Sequence, residues 1–140
     1  MRNRELAADH VRRAEARLLA LDVLFDAESW ADVVRESQEA LELALKGLLR
    51  ACGVDPPRSH DVSEVLLAER ERLPEAIRPE VDELAAASRE LRRDRELAFY
   101  GAEDLTPSTF YVKEDAVRAL EAVRAAVRAI VPLVQSGEGR

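Results

Sequence analysis

The chain is short of several residue types at once. Of its 140 residues 4% are aromatic, and it holds five glycines, six prolines, two histidines and one cysteine. The lone Cys52 excludes an internal disulfide and any cysteine-cluster metal site. His10 and His60 lie far apart, without the paired spacing of a metal centre, so neither metal nor other cofactor is expected. No apolar run approaches the ~18 residues of a membrane span. The opening MRNRELAADH has no apolar signal core, and a cytoplasmic location is the expectation. No stretch alternates for long with period two, which leaves strands without a signal. There is no glycine-rich phosphate loop, no internal repeat and no dividing linker. One domain over residues 1–140 is expected, ordered over about 4–134, with 135–140 a frayed tail.

Lysine is scarce as well. Lys46 and Lys113 are the only two among 21 basic residues, and the other 19 are arginine. The net charge of −7 argues against a general nucleic-acid coat, which needs a basic surface. A local patch is still available at Arg89, Arg92, Arg93 and Arg95. The alternative is a solvated helix face balanced by Glu90, Asp94 and Glu96.

What is abundant is Ala, Leu, Glu and Arg, the composition of helices. Ala7, Val11, Ala14, Leu18, Leu21 and Phe25 recur every three or four residues, predicting a helix over 4–26. Ser29, with Asp32 three residues on, caps a second helix over 29–52, which carries Val34, Leu41, Leu45, Leu48 and Cys52 and stops at Gly53. Leu43 and Leu49 widen its apolar surface, which points to a central position and to a homodimer contact. Asp61 and Glu64 form a capping box for a short helix through Val65, Leu66 and Leu67. Pro79 opens a third long helix over 79–100. The fourth begins at Thr106-Pro107 and runs to 134, with Ala116, Leu120, Val123, Val127, Ile130 and Val134 on one face and Pro132 bending or ending it. The fold class is all-α, an up-and-down four-helix bundle with one additional short helix.

The third helix carries the most pointed feature. Its row of Val81, Leu84, Ser88, Leu91 and Ala98 includes Arg95 where an apolar residue belongs. A buried arginine without a partner or ligand costs several kcal/mol, roughly. Tyr100, a polar aromatic, closes the same helix before Gly101. Arg95 and Tyr100, with Arg92 and Glu96 beside them, are the candidate nucleotide- or RNA-binding residues. A carboxylate such as Asp9 or Asp115 paired with Arg95 would instead make it a structural ion pair. His10 and His60 read as structural, at a helix edge and in a loop respectively.

The stretch ALELALKGLLRACGVDPPRSHDVSEVLL resembles the central signature of HEPN domains, through Lys46, Gly53, His60 and Leu66-Leu67. The segment RELAFYG…TPSTFY is similar to a variant in bacterial members, and the resemblance runs from the Leu6–Phe25 helix to Val134. It implies a small helical bundle. RNA-cleaving members carry an Arg, often a polar residue next, and a His after a further four to six residues. Two such motifs meet across a dimer in a metal-independent ribonuclease site. Arg95 and Glu96 match the first two positions, but the window ends Phe99, Tyr100, Gly101, Ala102 with no His. Tyr100 donates a hydrogen bond, yet with a pKa near ~10 it is a poor base at neutral pH, and Glu96 adds negative charge beside a phosphate.

The resemblance therefore implies a non-catalytic, homodimeric HEPN-like module. Such a module partners a small nucleotidyltransferase in a two-gene, toxin-antitoxin type of system, or binds nucleotide or RNA through an Arg95-centred cleft. A metal-independent toxin-type ribonuclease, using Arg95 with Tyr100 or a recruited His60, is one alternative. A structural helical scaffold is the other.

Overall fold

A computed structural model describes the backbone of residues 2–59, 61–100 and 106–137, and their side chains except at positions 2, 93–100, 136 and 137. Among the described residues six α-helices follow in order: α1 Arg2–Asp26, α2 Trp30–Ala51, α3 Ser63–Ala68, α4 Val81–Tyr100, α5 Pro107–Phe110 and α6 Lys113–Gly137. Short 3-10 turns at Arg70–Arg72 and Arg78–Glu80 lead from α3 into α4. There is no strand among the described residues. The all-α bundle read from the apolar periodicity is what the chain forms.

Helix α2 is the hub, packed against α1, α4 and α6. Its Val34, Leu41, Leu45 and Leu48 are buried, as expected from their spacing, and Cys52 is half-buried. A second row of Val33, Ser37, Ala40, Ala44 and Gly47 is buried too. A Cβ built on Gly47 would lie 2.9 Å from Val11 Cγ2 and 3.2 Å from the Ala7 carbonyl oxygen. Gly47 on α2 thus lets that helix approach α1 closely at Ala7 and Val11. This corrects the reading of α2 as a dimer face. Leu49 is fully buried and Leu43 packs on the core, so three neighbouring helices consume the apolar surplus.

Helix ends follow local chemistry. Gly53 has φ 77°, and Val54 N–H donates to the Leu49 carbonyl while Gly53 N–H donates to that of Arg50. That pair of bonds is a Schellman stop, and glycine suits its left-handed position. The end of α1 has the same pattern with a misfit residue: Ser29 N–H donates to the Leu24 carbonyl, but the left-handed position belongs to Glu28, φ 59°.

Several boundaries differ from expectation, and the helix expected from Pro79 begins as a 3-10 turn and becomes α4 only at Val81. Ser29 directs its hydroxyl to Asp32 (2.6 Å) and makes no side-chain cap bond to the helix backbone. Thr106-Pro107 starts only the one-turn α5. After an extended Tyr111, α6 starts afresh, and the Asp115 carboxylate accepts from Val112 N–H at 3.0 Å. Pro132, expected to bend or end α6, does not end it, since the helix continues to Gly137. It is exposed, as is Arg128 four residues earlier, whose carbonyl the proline deprives of its helical donor.

The six apolar positions predicted for α6 are all buried. On α4, Val81, Leu84, Ser88 and Leu91 are buried together. Helix α1 runs antiparallel to α6, and an Arg124–Asp22 ion pair crosses between them.

Candidate functional site

The site begins with the buried row of α4. Leu84 and Leu91 pack into the core, and between them Ser88 is 2% exposed. A hydroxyl sunk in an apolar row must find a partner. Ser88 Oγ accepts from Val62 N–H at 3.1 Å and lies 3.4 Å from Asp61 Oδ1, to which it donates. Asp61 in turn accepts from Ser63 N–H at 2.9 Å, and its own N–H donates to Ser59 Oγ at 3.0 Å. Asp61 thus turns the chain into α3, but one residue ahead of a true capping box, because Val62 occupies the N-cap position.

Burial by itself would raise the Asp61 pKa. The bonds from Ser63 and Ser88, and the Arg89 charge, outweigh it and hold the carboxyl below its ordinary value. The result is a loop clamped onto α4 by a buried hydroxyl and a carboxylate. His60 adjoins the clamp and itself lies outside the described residues.

From Ser88 the helical backbone continues through Tyr100. Residue 95 lies seven positions on, about 10 Å along the axis and close to two full turns, which places it in register with Ser88. The side chains of Arg95, Glu96 and Tyr100 lie outside the described residues. Arg92, the fourth predicted site residue, is exposed, as is Arg89 one turn earlier. The two guanidiniums stand on the outer side of α4, off its buried row.

A cleft of about 310 Å³ opens beside Leu91, between α4, α2 and α6. Among the described residues, Glu90, Asp115 and Glu121 line it with one cation, Arg118. Asp115 is already engaged, by Arg118 at 2.6 Å and by the Val112 N–H. Asp9, the other carboxylate considered for Arg95, accepts from Arg12 at 3.1 Å. This acidic cleft is unsuited to phosphate, whereas the outer arginines of α4 are suited to it.

A family model described as HEPN domain matches residues 7–133. The chain belongs to the HEPN family. No curated protein and no solved structure matches it. The match opens at Ala7, where the buried row of α1 begins, and reaches Leu133, one residue short of the last buried position of α6. It takes in the whole bundle, and it places the chain among nucleotide- or RNA-related helical modules, ribonuclease-type members included.

In this HEPN domain the matched signature residues do structural work where they are described. Lys46 donates to Glu42 at 2.7 Å, an i,i+4 pair with both side chains largely covered. Gly53 closes α2, and its carbonyl accepts from Arg72 at 3.0 Å. Leu66 is buried. His10 sits at the α1–α2 contact, where burial first, then the Arg50 and Arg13 charges, lower its pKa. No cluster of three metal-ligating side chains occurs among the described residues, and no described helix is long and apolar enough to cross a membrane.

The loop clamp was missed from sequence alone. A serine in an otherwise apolar row was its signal, but the Val62–Ser88 bond spans 26 positions and has no local pattern to announce it.

Proposed function

We propose that this HEPN domain is a non-catalytic, homodimeric binding module whose ligand is the phosphate of a nucleotide or RNA, held along the outer and C-terminal part of α4. The observation that carries the reading is the exposure of Arg89 and Arg92 one turn apart on α4, leading towards position 95. Guanidiniums on one rigid helix recognise phosphate oxygens bidentately, and they need no metal. Arg95 and Glu96 retain the Arg-polar pair of cleaving members, while residues 99–102 supply no imidazole to move a proton.

A small nucleotidyltransferase is the partner protein this reading accommodates, with the same α4 arginines as its contact. The ribonuclease reading draws on one specific observation: Asp61 and Val62, next to His60, are fastened to α4 at Ser88. That brings the loop within about two turns of position 95.

A thermal-shift series with mono- and dinucleotides tests the proposal. Stabilisation of the wild type that is lost in Arg95→Ala and in Arg92→Ala is the expected result, since a ligand that prefers the native state raises its apparent stability. An Arg95→Ala protein that is destabilised without ligand, in a series where no nucleotide shifts either protein, would make Arg95 a structural ion-pair residue.

A further inference from the structure

Helix α1 is apolar on two faces. Ala7, Val11, Ala14 and Leu21 are buried against the bundle, whereas Ala16, Leu19, Ala20 and Val23 form a second row at spacings of three, one and three, and all four are exposed. Leu19 and Val23 are 71% and 68% exposed, more than any other described large apolar side chain. They stand on a ridge between two shallow grooves. Leu19 lines one of about 840 Å³ shared with Val127 and Val131 of α6, and Val23 lines another of about 700 Å³ shared with α2. A repeat of this kind, flanked by grooves, is the pattern by which one helix packs on another.

The charges at the ends of the row say what fits. Near its start Arg13 is exposed, as is Arg12, which pairs with Asp9 at 3.1 Å, and near its end Asp26 and Glu28 are exposed. A second copy of α1 laid antiparallel across a two-fold axis near Leu19 brings the basic end of each helix to the acidic end of the other. A parallel mate would oppose like charges. We infer that the outer face of α1 is the self-association surface of this chain, with the two α1 helices antiparallel. The inference rests on the homodimer reading above and supplies its geometry. Helices α1 and α4 both pack on α2 and, among the described residues, make no extensive contact with each other, so pairing through α1 leaves the two α4 sites apart and independent. A composite site built across the two-fold is not formed this way, which accords with binding without cleavage.

Light scattering coupled to size separation, at micromolar concentrations and low salt, tests it. The wild type is expected at about twice the 15.6 kDa chain mass, and the double variant Leu19→Asp, Val23→Asp at the monomer mass. Because both side chains already face water, that variant should keep its helical circular dichroism. Arg12→Glu and Asp26→Arg are each expected to weaken the dimer roughly tenfold, and the two together to restore it. A wild type that remains monomeric overturns both the homodimer reading and this inference. A dimer that persists in the Leu19→Asp, Val23→Asp protein leaves the homodimer standing and overturns α1 as its interface. A charge-exchanged double variant as weak as its parents overturns the antiparallel pairing.

Discussion

Ser88 of α4 holds the loop after His60 in place, by accepting from Val62 N–H and donating to the Asp61 carboxylate. The clamp ties the loop that precedes α3 to the helix that carries the candidate site. Removing the hydroxyl strands a buried backbone N–H, which costs about 1–3 kcal/mol. Ser88→Ala should therefore be destabilised by about that amount in chemical unfolding, and Ser88→Thr, which keeps the hydroxyl, by less wherever its extra methyl is accommodated. Equal stability of Ser88→Ala and wild type would remove the clamp from the account.

The same clamp has a pH signature. The folded Asp61 carboxyl titrates below its ordinary value, near ~3.9. At acid pH the unfolded chain therefore takes up the proton first. The contribution to stability is complete above the unfolded value and is lost as pH falls through the folded one. Asp61→Asn should be less stable than wild type at pH 7, and the gap should narrow towards pH 2. A gap that stays constant across the acid range would contradict this.

Two helix ends should respond in opposite directions to glycine. Glu28 occupies a left-handed position that glycine takes without strain, and Gly53 is such a glycine. Glu28→Gly is expected to gain up to about 1 kcal/mol and Gly53→Ala to lose about 1 kcal/mol or more, read from denaturant midpoints. Glu28→Gly tested in monomer conditions separates this from any effect on the acidic end of the α1 row.

Gly47 tests the α1–α2 contact. In an exposed helix, alanine would gain about 1 kcal/mol over glycine. Here its Cβ would press on Val11 and on the Ala7 carbonyl oxygen, so Gly47→Ala should destabilise instead, by roughly 1–3 kcal/mol. Val11→Ala in the same chain should recover part of the loss by opening space. A Gly47→Ala protein more stable than wild type would mean the helices are not held this close.

Much of the fold was legible because single helices announce themselves locally. The α6 row and the Gly53 stop follow from periodicity and backbone sterics alone. The start of α6 was not legible in the same way. Thr106-Pro107 is a sound helix opening and does open α5, but the extended Tyr111 and the Asp115 bond to Val112 N–H restart the helix six residues later. The role of α2 was half legible: its broad apolar surface was evident, but only packing shows that neighbours within the bundle cover it, while the exposed row lies on α1. In the candidate site, the register of position 95 on the buried row of α4 could be read from spacing. The clamp at Ser88 and the acidic cleft beside Leu91 depend on residues brought together from distant parts of the chain.

The central claim is that the arginines of α4 bind nucleotide or RNA phosphate without cutting it. The most direct measurement follows a short single-stranded RNA with the purified protein at fixed salt, by anisotropy for binding and by gel for integrity, in wild type, Arg95→Ala and His60→Ala. Intact RNA throughout, wild-type binding weakened at least about tenfold by Arg95→Ala, and unchanged binding in His60→Ala are the predicted results. RNA cleaved by the wild type and spared by Arg95→Ala and His60→Ala would contradict the claim and establish a ribonuclease.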